Sequence, residues 1–237
     1  MITARSPAAC VVPLCLLSAA PAAAQSIPSS YRHIDNPQAA SVFVGHMSLA
    51  TGSLDLGPKS GTFVGGRYAV EAAGPLFVEG LFAYLPTRRD VVDPRRRLGD
   101  RARGESDVHL LMFDARLSFS LTGRRTWKRF APHLFVGGGL AHDAAGLGAS
   151  DGDLRPEDVF DFGTAFTANA GAGLRVLLGS RFMVRTDASL TLWKLSTPAG
   201  FDDPETRPDD EEDPLHAPER SEWVGGRGLA LSFAWRF

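Results

Sequence analysis

The sequence is almost free of cysteine, since Cys10 and Cys15 are its only two among 237 residues. Both precede residue 25, so residues 25–237 offer no disulfide, no thiolate nucleophile and no cysteine-ligated metal. After residue 24 no stretch approaches the roughly 18 consecutive apolar residues that a membrane helix needs. A net charge of −2 gives no electrostatic reason to expect a nucleic-acid partner, and none is predicted.

The first 24 residues have the pattern of an export signal. Arg5 provides a sparse positive start, a short apolar stretch follows, and Ala22-Ala23-Ala24 forms a small-residue cleavage site before Gln25. The apolar stretch is too short to span a bilayer as a helix. We therefore predict that residues 1–24 are a signal peptide and that the protein works outside the cytoplasm.

The last fifteen residues, 223–237, alternate between two kinds of side chain. Every second position carries a large apolar residue, and the positions between them carry small residues and glycine. This period of two predicts a strand. A narrow barrel interior accommodates the small face, and a bilayer covers the large one. The large residues are Leu229, Leu231, Phe233, Trp235 and Phe237.

The same alternation recurs upstream, and the connections between the strands are alternately short and long. This order is typical of an up-and-down meander in an outer membrane, with short periplasmic turns and longer outer loops. Closure of an even number of strands leaves no unpaired sheet edge in lipid. Seven further strands are predicted at residues 41–49, 62–71, 76–85, 108–121, 131–141, 164–178 and 181–193.

The predicted fold class is therefore all-β, as one eight-stranded antiparallel up-and-down transmembrane β-barrel. Residues 25–40 are expected to be an irregular periplasmic lead-in, and residues 41–237 the barrel domain in the bacterial outer membrane. Both termini are then periplasmic. Nothing in the sequence specifies an oligomeric state.

Strand facing is predicted from the alternation, least clearly in the first strand. There the pattern places Phe43 and Met47 toward lipid, and His46 and Ser48 toward the lumen. Aromatic residues are expected to form belts at the two interfaces. The predicted outer belt is Tyr84, Trp193 and Trp223, and the predicted periplasmic belt is Trp127, Trp235 and Phe237.

The chain resembles the small outer-membrane β-barrels of the OmpA-like and OmpW-like type. Local resemblance lies in Gly65-Gly66-Arg67-Tyr68, in residues 132–139 and in the aromatic C-terminus. In that family, a terminal pattern such as Phe233, Trp235 and Phe237 is the insertion signal read by the barrel-assembly machinery. The resemblance implies that machinery, outer-membrane lipid and lipopolysaccharide as partners. It implies no cell-wall anchoring, because no peptidoglycan-binding domain follows the barrel.

Charged side chains within the predicted strands face the lumen in balanced numbers. A barrel of this size is only wide enough to be filled by its own side chains. Buried charges are tolerated when they are paired, so the pattern predicts a salt-bridged plug and a closed, structural barrel. The alternative is an OmpW-like conduit for small apolar molecules. The eight residues are Arg67, Glu71, Glu79, Asp114, Arg116, Arg175, Arg185 and Asp187.

Enzymatic function is not predicted, and neither are a cofactor, a metal site or a catalytic residue. His46-Met47-Ser48 faintly resembles the His-x-Ser of lipid A deacylases, which are acyl hydrolases built on similar barrels. That chemistry requires the pair to face lipid, whereas the pattern places it inward. A soluble lipocalin-like barrel is a further alternative, and it would have the large apolar face inside.

Two long loops carry opposite charges. The arginine-rich loop 86–107 and the acidic loop 194–222 are expected to share the extracellular rim and to pair loosely. Alternatively, the arginines could bind lipopolysaccharide phosphates and the acids a divalent cation. The acidic run lacks the spacing of an EF-hand, so no specific metal site is predicted.

Overall fold

The computed structural model describes residues 30–96, 100–202 and 220–237. In this part of the chain it forms ten strands and two short 3₁₀ helices, at Ala149–Asp153 and Ala199–Asp202. The strands are β1 (Tyr31–His33), β2 (Gln38–Leu49), β3 (Gly61–Ala73), β4 (Leu76–Val92), β5 (Ala102–Ser120), β6 (Arg125–Trp127), β7 (Phe130–Asp143), β8 (Thr164–Leu177), β9 (Phe182–Ser196) and β10 (Ser221–Arg236).

Eight of these strands close into an antiparallel up-and-down barrel, which confirms the predicted fold. Each long strand pairs with its neighbours in the chain, apart from the small β6 between β5 and β7. The last long strand, β10, pairs antiparallel with the first, β2, from Gly226 opposite Leu49 to Arg236 opposite Ala39. The barrel therefore has no free lateral edge, as a bilayer would require.

The outside of the barrel is apolar. In β5, Phe113 is 54% exposed whereas its neighbour Met112 is 5% exposed. The same alternation is found around the barrel, so large apolar side chains cover its outside. We call this apolar outer surface the outer belt, as distinct from the aromatic belts predicted at the two interfaces. Members of this belt include Val64, Phe82, Leu134, Val136, Phe166, Leu190 and Leu231. A soluble lipocalin-like barrel would bury these residues, so this alternative is wrong.

The predicted facing of the first strand is wrong. Phe43 and Met47 are buried in the lumen, while His46 and Ser48 are exposed on the outer surface. Inward-facing glycine explains the difference. A Cβ atom on Gly65 would collide with the ring of Phe43, so the absence of a side chain there makes room for the aromatic ring.

The predicted position of Trp193 in the outer aromatic belt is also wrong. Trp193 is fully buried in the lumen, where its ring meets that of Phe162 edge to face at 6.0 Å. Its position in β9 has the same parity as those of Arg185 and Asp187, so strand alternation directs all three inward. Tyr84 and Trp223 lie on the outside of the barrel, and their place in a belt at the outer membrane interface stays a prediction.

Residues 86–107 are largely strand rather than loop. β4 and β5 remain paired from Leu76 opposite Phe119 to Val92 opposite Ala102, so their hairpin projects well past the other strands. The prediction of a long charged loop at this position is therefore wrong. Ion pairs explain the extension. Arg88 of β4 pairs with Glu105 and Asp107 of β5, and Lys59, from the β2–β3 connection, lies 2.8 Å from both Asp90 and Glu105.

The lead-in before the barrel is partly ordered. We expected irregular chain here, but β1 pairs with β6, placing Tyr31 opposite Trp127. Ile34 then follows as a buried residue, and its amide donates to the carbonyl of Arg124 at 2.9 Å. The lead-in therefore passes across the end of the barrel that carries both β1 and Phe237, which we call the terminal end. The opposite end is the loop end. Residues 1–29, including the predicted signal peptide, lie outside the described residues.

Within the described ranges, no helix is long and apolar enough to cross a membrane.

Candidate functional site in the barrel lumen

Glu79 lies at the centre of the charged part of the lumen and is fully buried. Its carboxylate accepts hydrogen bonds from Arg185 at 2.6 Å and Arg175 at 3.0 Å. Arg67 adds an ion pair at 3.7 Å. One carboxylate therefore holds three guanidinium groups, each itself buried.

Asp187 is the second carboxylate of this cluster. It pairs with Arg67 at 2.7 Å and with Arg185 at 2.8 Å, and its third contact is the imidazole of His133 at 2.9 Å. His133 was not among the predicted site residues. Its inward parity in β7, shared with Phe135, was the available signal. We refer to Arg67, Glu79, His133, Arg175, Arg185 and Asp187 as the lumen network.

The lumen network connects opposite walls of the barrel. Glu79 lies on β4, whereas Arg185 and Asp187 lie on β9, four strands away in either direction. Aromatic rings line the remaining faces of the guanidinium groups. Arg175 lies 4.6 Å from the ring centre of Phe77, a distance at which cation–π attraction operates. The network thus joins opposite walls of the lumen through buried ion pairs.

The structure divides the eight predicted lumen residues into three groups. Five of them belong to the lumen network. Asp114 and Arg116 form a separate pair at 3.0 Å, and Thr167 donates a further hydrogen bond to Asp114. Glu71 lies at the terminal rim, where it pairs with Arg124 at 3.0 Å.

The loop-end half of the lumen is apolar, which the sequence reasoning missed. Inward-facing Leu81, Leu85 and Met112 form its walls, and Phe160 and Phe162 from the 144–163 connection pack onto them. The available signal was again parity, because these positions alternate with outward residues of the same strands. Hydrophobic packing therefore closes this half of the barrel, above the ionic contacts of the other half.

Buried ion pairs anchor the loop-end connections to the β4–β5 hairpin. Arg89 donates to Asp151 at 2.7 Å, and both side chains are buried. Arg95 donates to Asp158 at 2.9 Å. Arg89 and Arg95 thus pair with the 144–163 connection, and pairing of the hairpin with the acidic loop stays a prediction. Residues 203–219 of that loop, with its acidic run, lie outside the described residues.

A second group of charges holds the outer surface of the hairpin. Lys59 donates hydrogen bonds to Asp90 and Glu105, each at 2.8 Å. These bonds, first that to Asp90, raise the pKa of Lys59 above its usual range. The bond from Lys59 lowers the pKa of Glu105. Both groups are therefore charged at neutral pH, and their contacts hold the β4–β5 hairpin to the connection between β2 and β3.

We expect Arg89→Ala to loosen the 144–163 connection without unfolding the barrel. The substitution leaves Asp151 buried without its cation, and a charge-assisted hydrogen bond contributes about 1.5–3 kcal/mol. Cleavage within this connection by proteinase K should then be roughly tenfold faster or more. The matched control is Arg88→Ala, because Arg88 is adjacent but exposed. Equal cleavage of the two variants would contradict the anchoring role.

The three residues of the predicted insertion signal all face outward at the terminal end. Phe233, Trp235 and Phe237 are about half exposed. Phe233 stacks on Phe182 at 5.6 Å, and Trp235 contacts Phe237 at 5.8 Å. Their outward facing leaves them accessible to a protein partner or to lipid.

Among the described residues, no group of three or more His, Cys, Asp or Glu side chains is arranged to hold a metal ion. In the lumen network, arginines occupy the positions around both carboxylates. Such a site offers hydrogen-bond donors, and its chemistry favours anions over cations.

Solved structures of small outer-membrane barrels are similar to this chain. OprG of Pseudomonas aeruginosa superimposes with a TM-score of 0.53 at 13% sequence identity, over 86% of this chain and 97% of OprG. Outer membrane protein W of E. coli gives 0.50 at 16% identity, over 87% and 100%. Neisserial surface protein A gives 0.50 at 11% identity, over 88% and 98%.

No protein-family model and no curated protein sequence matches the chain. The structural similarity, at these low identities, establishes the fold alone. The chain has the fold of the small outer-membrane β-barrels, as the sequence resemblance predicted.

Proposed function

We propose that this protein is an integral outer-membrane barrel with a closed lumen and a structural role, presenting a fixed charged rim at the cell surface. The observation that carries the closed lumen is the position of Glu79, fully buried between three arginines from three other strands. An ion crossing the barrel would have to separate these pairs in a low-dielectric interior.

The outer belt supports the membrane location. Its apolar side chains surround the barrel, and exposed aromatic residues such as Trp223 and Trp235 lie near its two ends. In this proposal the terminal end faces the periplasm and the loop end the cell exterior. Outer-membrane lipid and lipopolysaccharide surround the barrel, and the barrel-assembly machinery inserts it through Phe233, Trp235 and Phe237.

The location is tested by placing single cysteines on adjacent positions of β5. The chain without residues 1–24 has no cysteine of its own, so each label reports one site. In refolded protein reconstituted into vesicles, a lipid-restricted quencher should quench a label at Phe113→Cys and spare one at Asp114→Cys. The same vesicles should be impermeable to small ions, as a closed lumen requires.

Two outcomes would contradict the proposal. If water-soluble reagents reach both labels, or if the protein remains soluble without detergent, the outer belt does not contact lipid. If the vesicles leak ions in proportion to the protein they contain, the barrel is a conduit and its lumen is not closed. The leak assay is independent of the labelling result, so the two parts of the proposal can fail separately.

The outward facing of His46 and Ser48 meets one requirement of the lipid A hydrolase alternative. A hydrolase of this kind also needs a carboxylate to orient the histidine. The cross-strand partners of His46 are Thr62 and Leu229, and Ser48 lies opposite Arg227. These neighbours supply no acid, so the proposed role is not enzymatic.

The alternative of a conduit for small apolar molecules needs an open apolar pocket inside the barrel. The apolar loop-end half of the lumen is instead packed with side chains. Phe160, Phe162 and Trp193 are all buried there, and two of them are in ring contact. This packing favours a closed barrel.

A further inference from the structure

Arg227 is an arginine on the apolar outside of the barrel. It lies on the outward face of β10, where Leu190 of β9 is its cross-strand partner and Leu229 is the next outward residue. Both leucines are more than half exposed and belong to the outer belt. An arginine on a lipid-facing surface is costly at the bilayer midplane and tolerated near the headgroups. Its charged end is therefore expected to extend toward the nearer headgroup layer.

The nearer headgroup layer is the one at the loop end. Exposed Trp223 lies four positions from Arg227, about 13 Å along the strand at about 3.3 Å per residue, whereas Trp235 at the terminal end lies eight positions away. Exposed tryptophan is typical of membrane interfaces. Directly opposite Trp223 on β9 is Lys194, which is also exposed. Since long basic side chains carry their charge along an apolar surface toward water, Arg227 and Lys194 can direct their charges to the same place.

That place is a recess over Gly225, the outward residue between Trp223 and Arg227. The nearest atom to a Cβ added at Gly225 would be in the side chain of Leu192, at 3.4 Å. On the β2 side the recess continues over Ala50, whose amide donates to the carbonyl of Gly225 at 3.0 Å. Glycine and alanine therefore leave open space on the outer surface between the two cations.

The recess offers hydrogen-bond donors and has no acid beside it. Ser48 of β2 is the cross-strand partner of Arg227 and is exposed. No outward position of β2, β9 or β10 carries a carboxylate. Among the described residues, Arg227 and Lys194 make no ion pair. Their charges therefore suit an anion from outside this part of the chain. We call Ser48, Lys194, Trp223, Gly225 and Arg227 the Arg227 patch.

We propose that the Arg227 patch binds a phosphate group of lipid A, the membrane-embedded part of lipopolysaccharide. A phosphate accepts paired hydrogen bonds from a guanidinium group, and it balances the charges of Arg227 and Lys194. The occupant is a lipid and not a soluble anion, because the exposed side chains of Leu190 and Leu229 continue from the patch and fit acyl chains. The inference rests on the proposed function, from which it takes the membrane location and the placement of the loop end at the cell exterior.

The test is native mass spectrometry of the refolded full barrel in detergent micelles, which counts the lipid molecules that stay bound. Wild-type protein should retain lipid A that carries its phosphates and much less of the same lipid stripped of phosphate. Arg227→Gln should weaken binding of the phosphorylated lipid roughly tenfold or more, because a charge-assisted contact is lost. Gly225→Leu fills the recess without changing the charge, and it should weaken binding as well.

The matched control is Arg103→Gln. Arg103 is exposed at the same end of the barrel, but it lies near the tip of the β4–β5 hairpin, beyond the outer belt. The substitution removes the same charge and should leave lipid binding unchanged. All three variants alter side chains on the outer surface, so none of them disturbs the packing of the lumen.

Equal retention of the two lipids by wild type, or unchanged binding in Arg227→Gln, would overturn the inference, and so would an equal loss in Arg103→Gln. Binding that appeared only after the acids of residues 209–213 were replaced by their amides would also overturn it, because the acidic segment would then occupy the patch. Cysteine labelling at residues 113 and 114 reports the membrane location independently. A lipid-exposed residue 113 in a protein without phosphate preference would therefore contradict this inference and leave the proposed function standing.

Discussion

Replacing Glu79 with glutamine is expected to lower the free energy of unfolding by about 3–5 kcal/mol, the usual cost of removing one partner from a buried ion pair. Glutamine has the shape of glutamate but lacks the charge that holds Arg67, Arg175 and Arg185 together. The three cations would then share Asp187 alone. Equilibrium urea unfolding of the refolded barrel in lipid vesicles measures the loss.

The same substitution at Glu105 provides the control. Glu105 also contacts two cations, Lys59 and Arg88, but it lies on the exposed surface of the β4–β5 hairpin. Exposed ion pairs contribute little because water solvates both partners. A much smaller loss is therefore expected for Glu105→Gln. If Glu79→Gln were equally harmless, the lumen network would not be holding the barrel together.

The second large effect is expected at Ala115, an outward-facing residue of β5 between Phe113 and Leu117. An arginine at the middle of a lipid-facing surface costs about 2–4 kcal/mol in a transmembrane barrel. The cross-strand partners of Ala115 are Gly80 and Gly138, so the longer side chain has space on the outer surface. We expect Ala115→Arg to destabilise the barrel by that amount in vesicle unfolding.

Two controls are needed. One tests whether the size of the new side chain, rather than its charge, destabilises the barrel, and the other tests whether the effect depends on the position of the charge along β5. Ala115→Leu adds a large side chain without charge and should leave the stability nearly unchanged. Ala102→Arg makes the original substitution at the exposed end of β5, beyond the outer belt, and should also be nearly neutral. If Ala115→Arg were as mild as Ala102→Arg, the surface around residue 115 would be in water, and the proposed membrane location would be wrong.

Strand alternation allowed the barrel to be predicted from the sequence, because a period of two assigns each residue to one of two faces. The assignment worked wherever one face was uniformly large, as in β5 and β10. It failed in β2, where both faces carry apolar residues, Val42 and Val44 outside against Phe43 and Met47 inside. The facing of β2 depends on Gly65 of the neighbouring strand β3, which leaves room for the ring of Phe43 inside the barrel. The alternation within β2 alone gives no information about that residue.

The charged residues of the lumen were found by the same alternation, but their grouping was not. Which arginine meets Glu79 depends on the curvature of the barrel, since Arg175 and Arg185 reach it across the lumen and not along a strand. The buried pair of Arg89 and Asp151 could not be predicted from the sequence for a similar reason. It joins a hairpin to a connection that has no periodic pattern of its own.

The span of the lumen network across the barrel has a consequence for folding. Glu79 and Arg185 are 106 residues apart in the chain, so their contact forms only after most of the protein has been synthesised and curved into place. Contacts between such distant residues slow folding, because the entropy of closing the intervening chain is lost before the contact stabilises anything. Until β9 has joined the sheet, Glu79 lacks its shortest ionic contact, which is with Arg185. Intermediates with an open sheet are therefore short of stabilising interactions, and the final closure step makes folding cooperative.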